Sequence, residues 1–357
     1  MLKNRIGVLF GGRSEEHEVS LSSACFVIKA LNPDKFEPIY IGITKDGEWK
    51  KYEGPSENIK DGSWEKYSRE FNPGELKNTV DFVLPVLHGP YGEDGCIQGF
   101  LETMNIPYGG CGVLASSVSM DKQIFKQLMK EAGLDVCGYT SLTRREIHKD
   151  TAGAAMKVIK AVNLPCFVKP ANMGSSVGIS KAKTKDELVE ALKNACRYDD
   201  KIVAEEFIEA RELEIAVLGE AERAGEENDA CKLTCIGEIL PEKEFYDYKA
   251  KYMSCRTSKL IIPADIEPEA KEKITKMARR AYKAVGGFGF GRVDFFMEKS
   301  TGKIYINEIN TIPGFTEESM FPLLWQKCGL TPRQIIERII DLGYERYHAE
   351  NNRKTKI

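Results

Sequence analysis

In the stretch GRVDFFMEKSTGKIYINEIN, residues 291–310, Arg292, Asp294, Glu308 and Asn310 stand where a strand pair is ordinarily apolar. Ser300, Thr301 and Gly302 make a three-residue hairpin connection whose last position favours a left-handed glycine. That register sets residue 299 opposite 303 and Asp294 opposite Glu308. Side chains alternate along a strand, so the four polar residues share one face, the face that Ile304 and Ile306 begin. Two carboxylates, an amide oxygen and an arginine on half-buried strands repel and desolvate one another unless a hard cation neutralises the oxygens. Mg²⁺ is the natural candidate. A solvated salt-bridge ladder is the alternative, and the flanking Phe295, Phe296, Ile304 and Ile306 argue against it.

A second group lies in FVKPANMGSSVGIS, residues 167–180. Lys169 ends an apolar strand, and the loop with Gly174, Ser175, Ser176 and Gly178 offers backbone N–H groups beside that fixed charge, as a polyphosphate requires. The pattern GxxxxGK[ST] is absent, and a glycine-bearing turn with a surface lysine is the plainer alternative. In EEFIEARELEIAVLG, Glu205 and Glu212 flank Phe207 and Ile208, an arrangement able to hold a flat base and a ribose. In LHGPYGEDGCIQG, His88 ends an apolar run, and a glycine-rich turn exposes it beside Glu93 and Asp94. The segment EFYDYKAKYMSCRTSKLIIPA, rich in Tyr and Lys, reads as a loop able to close over an anion.

These residues need elements to position them. The opening third alternates RIGVLFGG, a helix over 15–31, FEPIYIGIT, DFVLPVLHG and GCIQGFLETMN, a pattern that predicts a parallel sheet with ligands at the carboxyl ends of its strands. Ser14 is placed to cap the first helix, near Glu15 and Glu16. A helix closes at Gly133, and two strands around a helix, KDELVEALKNACRY, suggest a small α+β lobe. A longer block follows, with a helix over 266–285 and the polar hairpin. GEAERAGEENDA reads as an exposed excursion and NNRKTKI as a frayed tail.

A chain of 357 residues exceeds one comfortable core, so two or three subdomains sharing a cleft are expected. A net charge of −3 supplies no broad positive field for nucleic acid. No segment approaches a membrane span, and the first apolar run reads as a strand rather than a leader. The ten cysteines lack the regular pairing of a secreted scaffold, and no second Cys/His pair follows Cys231 and Cys235 at zinc-ligand spacing. Reduced thiols in a cytoplasm fit best.

Taken together, GGRSEEHEVSLSSA, LHGPYGEDGCIQG, SMDK, FVKPANMGSSVG, FYDYKAKY, GRVDFF and NEINTIPGFTEESMFPLLW resemble, in order, the D-alanine:D-alanine ligases of the ATP-grasp superfamily. The resemblance spans about residues 5 to 345. It implies an α/β and α+β, three-domain ATP-grasp architecture: an N-terminal parallel-sheet (preATP-grasp) domain over 1–121, a central lobe over 122–205, and a C-terminal lobe over 206–357 with a mobile loop and the metal site. The implied reaction joins two D-alanines through an acyl phosphate, with ATP and two Mg²⁺ (or Mn²⁺) ions, for peptidoglycan precursors. A homodimer in the cytoplasm, with no nucleic-acid or membrane partner, is expected.

The same resemblance assigns roles. Lys122, Lys169, Ser175 and Ser176 meet the ATP phosphates, Lys251 the γ-phosphate, Glu205, Glu206, Phe207 and Ile208 the adenine, and Glu212 the ribose. Asn307 belongs to the nucleotide site, and Asp294, Glu308 and Asn310 hold the metals. Glu16 anchors the first substrate's ammonium and His88 lies near its carboxylate. Arg292 and the Gly314 N–H stabilise the oxyanion, Ser319 and Met320 receive the second carboxylate, and Tyr252, Ser175 and Glu16 form a latch. Relatives that use D-lactate lack the Lys-Tyr pair and carry a nearby histidine. Here Lys251 and Tyr252 are present, and no histidine lies between residues 149 and 347. Met320 resembles the alanine users rather than the serine users. A non-catalytic nucleotide-binding protein and an ATP-grasp kinase are the alternatives of different class.

Overall fold

The computed structural model describes residues 3–175, 177–220, 231–241 and 258–352. The expectations for Ser176, the excursion at 221–230, the loop segment 242–257 with Lys251 and Tyr252, and the tail at 353–357 lie outside the described residues.

The first sheet has the order β4-β3-β2-β1-β5. Strand β1 (Asn4–Gly11) pairs in parallel with β2 (Phe36–Ile43) and β5 (Phe82–Pro85), while β3 (Trp49–Tyr52) and β4 (Ser68–Glu70) add an antiparallel edge. The sheet is therefore mixed rather than parallel throughout. Ile6, Val8, Leu9 and Phe10 are fully buried, as a strand covered on both faces requires. The first helix runs His17–Ala30, starting later than expected because Ser14 makes a turn ahead of it. The Ser14 hydroxyl accepts the Glu16 N–H at 3.0 Å, and its carbonyl accepts the His17 N–H at 3.2 Å. From the far end of the chain, the helix Pro332–Asn351 returns Ile335, Ile336, Ile339 and Ile340 to the same core.

The second sheet, β6-β9-β7-β8, is antiparallel and comprises β6 (Tyr139–Thr143), β7 (Cys166–Pro170), β8 (Ser180–Ala182) and β9 (Lys201–Glu206). The helices Thr151–Val162 and Lys185–Ala195 cover it, burying Val158, Val168, Leu188, Leu192 and Ile202 together. Thr184 and Glu187 close a reciprocal capping box at the second helix.

The third sheet, β12-β11-β10-β13-β14, is antiparallel: β10 (Ala210–Glu220), β11 (Cys231–Pro241), β12 (Ser258–Ile261), β13 (Phe288–Glu298) and β14 (Ile304–Asn310). The helix Pro268–Ala284 packs Ile274, Ala278 and Tyr282 against one face, and Phe125 and Met129 of the helix Lys122–Glu131 join the same cluster.

The hairpin of β13 and β14 differs from the sequence expectation in an instructive way. Met297 pairs with Ile304, and the Glu298 N–H meets the Lys303 carbonyl at 2.9 Å, so the connection holds the four residues 299–302 and the register near the turn is one residue off. A bulge at Asn307 then absorbs the offset, and Asp294 does face Glu308. The bulge also reverses the alternation. Ile304, Ile306 and Ile309 all enter the core, so Glu308 and Asn310 lie on the face opposite Ile304 and Ile306. The polar residues do not continue an apolar face; a single inserted residue separates the two patterns.

Candidate active site

Arg292 and Asp294, two apart on β13, project from the side of the sheet away from the helix Pro268–Ala284. The Arg292 guanidinium donates to both Asp294 oxygens at 2.7 Å and lies 2.9 Å from Glu214 Oε2 on β10. Asn310 Nδ2 donates to Asp294 Oδ2 at 2.9 Å. Burial disfavours the guanidinium charge, but Asp294, Glu214 and Glu308 outweigh it and hold the Arg292 pKa well above its ordinary value. Three carboxylates thus face one guanidinium. Among the described residues no three His, Cys, Asp or Glu side chains gather into a metal cluster. The donors Asp294, Glu308 and Asn310 are two carboxylates and an amide, hard oxygen ligands that suit Mg²⁺ or Mn²⁺ and supply negative charge in excess.

Asp121 caps the helix that begins at Lys122, accepting the Gln123 and Ile124 N–H groups at 3.0 and 3.1 Å. The SMDK motif therefore fixes a lysine at a helix start, and Lys122 Nζ reaches the Met173 carbonyl at 2.6 Å. Burial lowers the Lys122 pKa, with Lys169 adding to the effect. Lys169, next to last in β7, pairs with Glu205 at 2.6 Å, while Lys126 approaches the other Glu205 oxygen at 3.1 Å. Burial opposes the Glu205 charge, yet Lys126 and Lys169 hold its carboxyl well below the usual range. The carboxylate of Glu205 is therefore committed to two lysines. Glu206 accepts the Gly138 N–H at 2.5 Å, and Lys181 sits over the Phe207 ring at 3.7 Å. Glu212 and Glu214 share a face of β10 by alternation.

Glu16 is buried and accepts a hydrogen bond from the Ser175 hydroxyl. Its carboxylate presses on Gly174, where a Cβ would meet Glu16 Oε2, so a larger residue there would displace the carboxylate. His88 is 3% exposed, not displayed by the turn as its sequence context implies. Nδ1 meets the Ile312 carbonyl at 3.0 Å and Glu93 at 3.5 Å, and Nε2 meets Ser23 Oγ at 2.9 Å. Asp94 instead accepts the Tyr91 and Cys96 N–H groups. Burial works against the imidazolium, but Glu93 prevails and raises the His88 pKa. Ser319 precedes the helix Met320–Lys327; its hydroxyl accepts the Thr316 N–H at 3.0 Å. Met320 is buried, its Sδ lodged against Gly237.

A cleft collects Glu16, His88, Lys122, Ser175, Arg292, Glu308, Asn310 and Gly314 from all three sheets' surroundings. Asp294 lies behind Arg292, while Lys169, Glu205–Ile208, Glu212, Asn307, Ser319 and Met320 fall outside its lining. Sequence reasoning missed Ser23, Glu214 and Lys126. Lys126 carries the one available signal, a lysine one turn after Lys122 between the apolar Phe125 and Met129. Glu214 and Ser23 have no local mark, because their partners are 78 and 65 residues away or more.

Three lobes meeting at a cleft lined by a lysine, an arginine and carboxylates define an enzyme of the ATP-grasp class. The family described as D-ala D-ala ligase N-terminus matches residues 5–111, and D-ala D-ala ligase C-terminus matches residues 128–341. A D-alanine--D-alanine ligase of Acetivibrio thermocellus is 46% identical, covering 97% of each chain, and one of Bacillus cytotoxicus is 46% identical over 100% of both. The crystal structure of the VanG D-Ala:D-Ser ligase from Enterococcus faecalis superposes with a TM-score of 0.82 at 38% identity, covering 96% of this chain and all of that one. The D-alanine-D-alanine ligase structure from Coxiella burnetii gives 0.82 at 32%, covering 98% and 96%. The chain belongs to the D-Ala-D-Ala ligase family.

Proposed function

We propose that this protein joins two D-alanines into D-alanyl-D-alanine at the expense of ATP, supplying peptidoglycan precursors in the cytoplasm. The observation that carries the proposal is the convergence of Glu16, Lys122, Arg292 and Glu308 on one cleft. The first D-alanine binds with its ammonium at Glu16 and its carboxylate toward His88. A carboxylate is too poor an electrophile for an amine, so its oxygen first attacks the γ-phosphorus of ATP and ADP leaves. The second D-alanine's amine then attacks the acyl phosphate, and phosphate departs from the tetrahedral adduct.

Lys122 and Lys169 neutralise the phosphates, with Ser175, Ser176 and Lys251 beside them. The segment from Glu205 to Ile208 meets the adenine, Glu212 the ribose, and Asn307 borders the nucleotide. Asp294, Glu308 and Asn310 would hold two Mg²⁺ or Mn²⁺ ions, which when bound offset phosphate charge. Arg292 and the Gly314 N–H face the developing oxyanion, a preorganised electrostatic role. Ser319 and the Met320 N–H receive the second carboxylate at a helix start. Tyr252 joins Ser175 and Glu16 in the latch. The domains follow the boundaries 1–121, 122–205 and 206–357, and two copies form a homodimer.

A second acceptor, D-serine, is favoured by the likeness to a D-Ala:D-Ser ligase structure; Met320 argues for alanine. Incubation with ATP, Mg²⁺ and D-alanine alongside D-serine or D-lactate distinguishes them. The dominant product expected is the D-alanine dipeptide. ADP without any dipeptide would indicate a kinase, and no ADP a nucleotide-binding protein without turnover.

A further inference from the structure

Cys235 and Cys328, 93 residues apart in sequence, meet on the third sheet. Cys235 lies within β11, and Cys328 ends the helix Met320–Lys327, its N–H closing on the Leu324 carbonyl at 3.1 Å. The Cys235 N–H donates to Cys328 Sγ at 3.3 Å, which brings the Cys328 sulfur onto the backbone of Cys235. Cys328 is exposed and Cys235 is half-buried, so a solute in water reaches Cys328 more readily. Packing holds both in place. Gly237, two residues beyond Cys235 on the same side of β11, leaves room for Met320 Sδ, which a Cβ would approach to 2.5 Å, and for Leu324. The helix therefore lies along the strand from Met320 to Cys328.

We propose that Cys235 and Cys328 are a redox modification site, converted by a hydroperoxide into a reversible disulfide that ties the helix Met320–Lys327 to β11. The Cys328 thiolate attacks a peroxide oxygen and the O–O bond breaks, leaving a sulfenic acid and releasing an alcohol or water. The Cys235 sulfur then attacks that sulfenic sulfur; the S–S bond forms, and the hydroxyl leaves with the Cys235 proton as water. Each sulfur loses one electron and the peroxide gains two. Burial and Cys328 raise the Cys235 thiol to about 11, which suits the sulfur that resolves rather than the one that attacks first. A dithiol reverses the bond by exchange.

The test uses the whole chain and does not depend on the ligase reaction. After hydrogen peroxide, alkylation of remaining thiols and trypsin, the expected product links residues 233–243 to residues 328–333, two hydrogens lighter than the separate peptides. The thermal midpoint rises on oxidation and returns with dithiothreitol. Cys328→Ser and Cys235→Ser each abolish the link and the rise. Recovery of both cysteines alkylated, a link through other cysteines only, or an oxidised form whose midpoint does not move would overturn the proposal.

Discussion

Glu214 and Asp294 face each other across β10 and β13 and grip the same guanidinium, that of Arg292. Asp294 is also a proposed metal ligand. Engaging a cation weakens its hold on Arg292, and Glu214 is then the partner that keeps the guanidinium aimed into the cleft.

Glu214→Gln removes that charge while keeping the shape. Losing one charge-assisted bond at a group proposed to act on the transition state predicts a fall in kcat of about tenfold, with KM for ATP unchanged. Arg292→Ala, which removes the proposed oxyanion donor itself, lowers kcat by about 10²- to 10³-fold. Steady-state kinetics check both. A Glu214→Gln enzyme altered only in KM for ATP would contradict the positioning role.

The Asn307 bulge predicts that the inserted residue is dispensable for the register. Deleting Asn307 restores plain alternation with Ile306 still opposite Phe295 and Glu308 still opposite Asp294, so Ile309 stays in the core and Glu308 and Asn310 stay on the other face. Urea unfolding should show a loss of no more than about 2 kcal/mol for the deletion and less than about 1 kcal/mol for Asn307→Ala. A loss of roughly 3 to 5 kcal/mol on deletion, the cost of exposing a buried isoleucine and burying a charge, would mean that Asn307 is not the inserted residue.

Much of this architecture is legible in the sequence, and the exceptions have physical causes. The alternating strands and helices of the first sheet, the helix that closes at Gly133 and the polar hairpin are written in local patterns. The antiparallel edge β3 and β4 is short and polar and leaves little periodic signal. The hairpin register could be counted only from its turn, and the Asn307 bulge, which depends on packing of Ile309 against distant helices, was invisible there. His88 looked exposed because its turn is glycine-rich; its burial comes from Ile312 and Ser23. Ordered motifs, rather than periodicity, pointed to the site, and they could not reveal long-range partners such as Lys126 with Glu205.

Lys126→Met leaves Glu205 buried with one lysine instead of two and destabilises the fold by about 3 kcal/mol at neutral pH. Glu205 has a depressed folded pKa, so its contribution is present above the ordinary value of 4.5 and is lost as pH falls through the folded value. Lys126 has a raised folded pKa, so its contribution is present below 10.5 and is lost as pH rises through the folded value. The deficit of the variant should therefore be largest between these limits and shrink in strong acid. A deficit independent of pH across the acid range would assign the loss to packing alone.

His88 should titrate above 6.5, since Glu93 overcomes the cost of burial. NMR of the imidazole resonances checks this, and Glu93→Gln should bring the value down. The stability tied to this raised pKa is present below 6.5 and lost as pH rises through the folded value. An imidazole that stays neutral at pH 6 would show that burial wins over Glu93.

The most direct measurement follows the oxygen atoms of the first substrate. With D-alanine labelled by ¹⁸O in both carboxylate positions, attack of the carboxylate on ATP predicts one labelled oxygen in the released phosphate for each dipeptide formed. Dipeptide accompanied by unlabelled phosphate would contradict the acyl-phosphate route and the roles built on it.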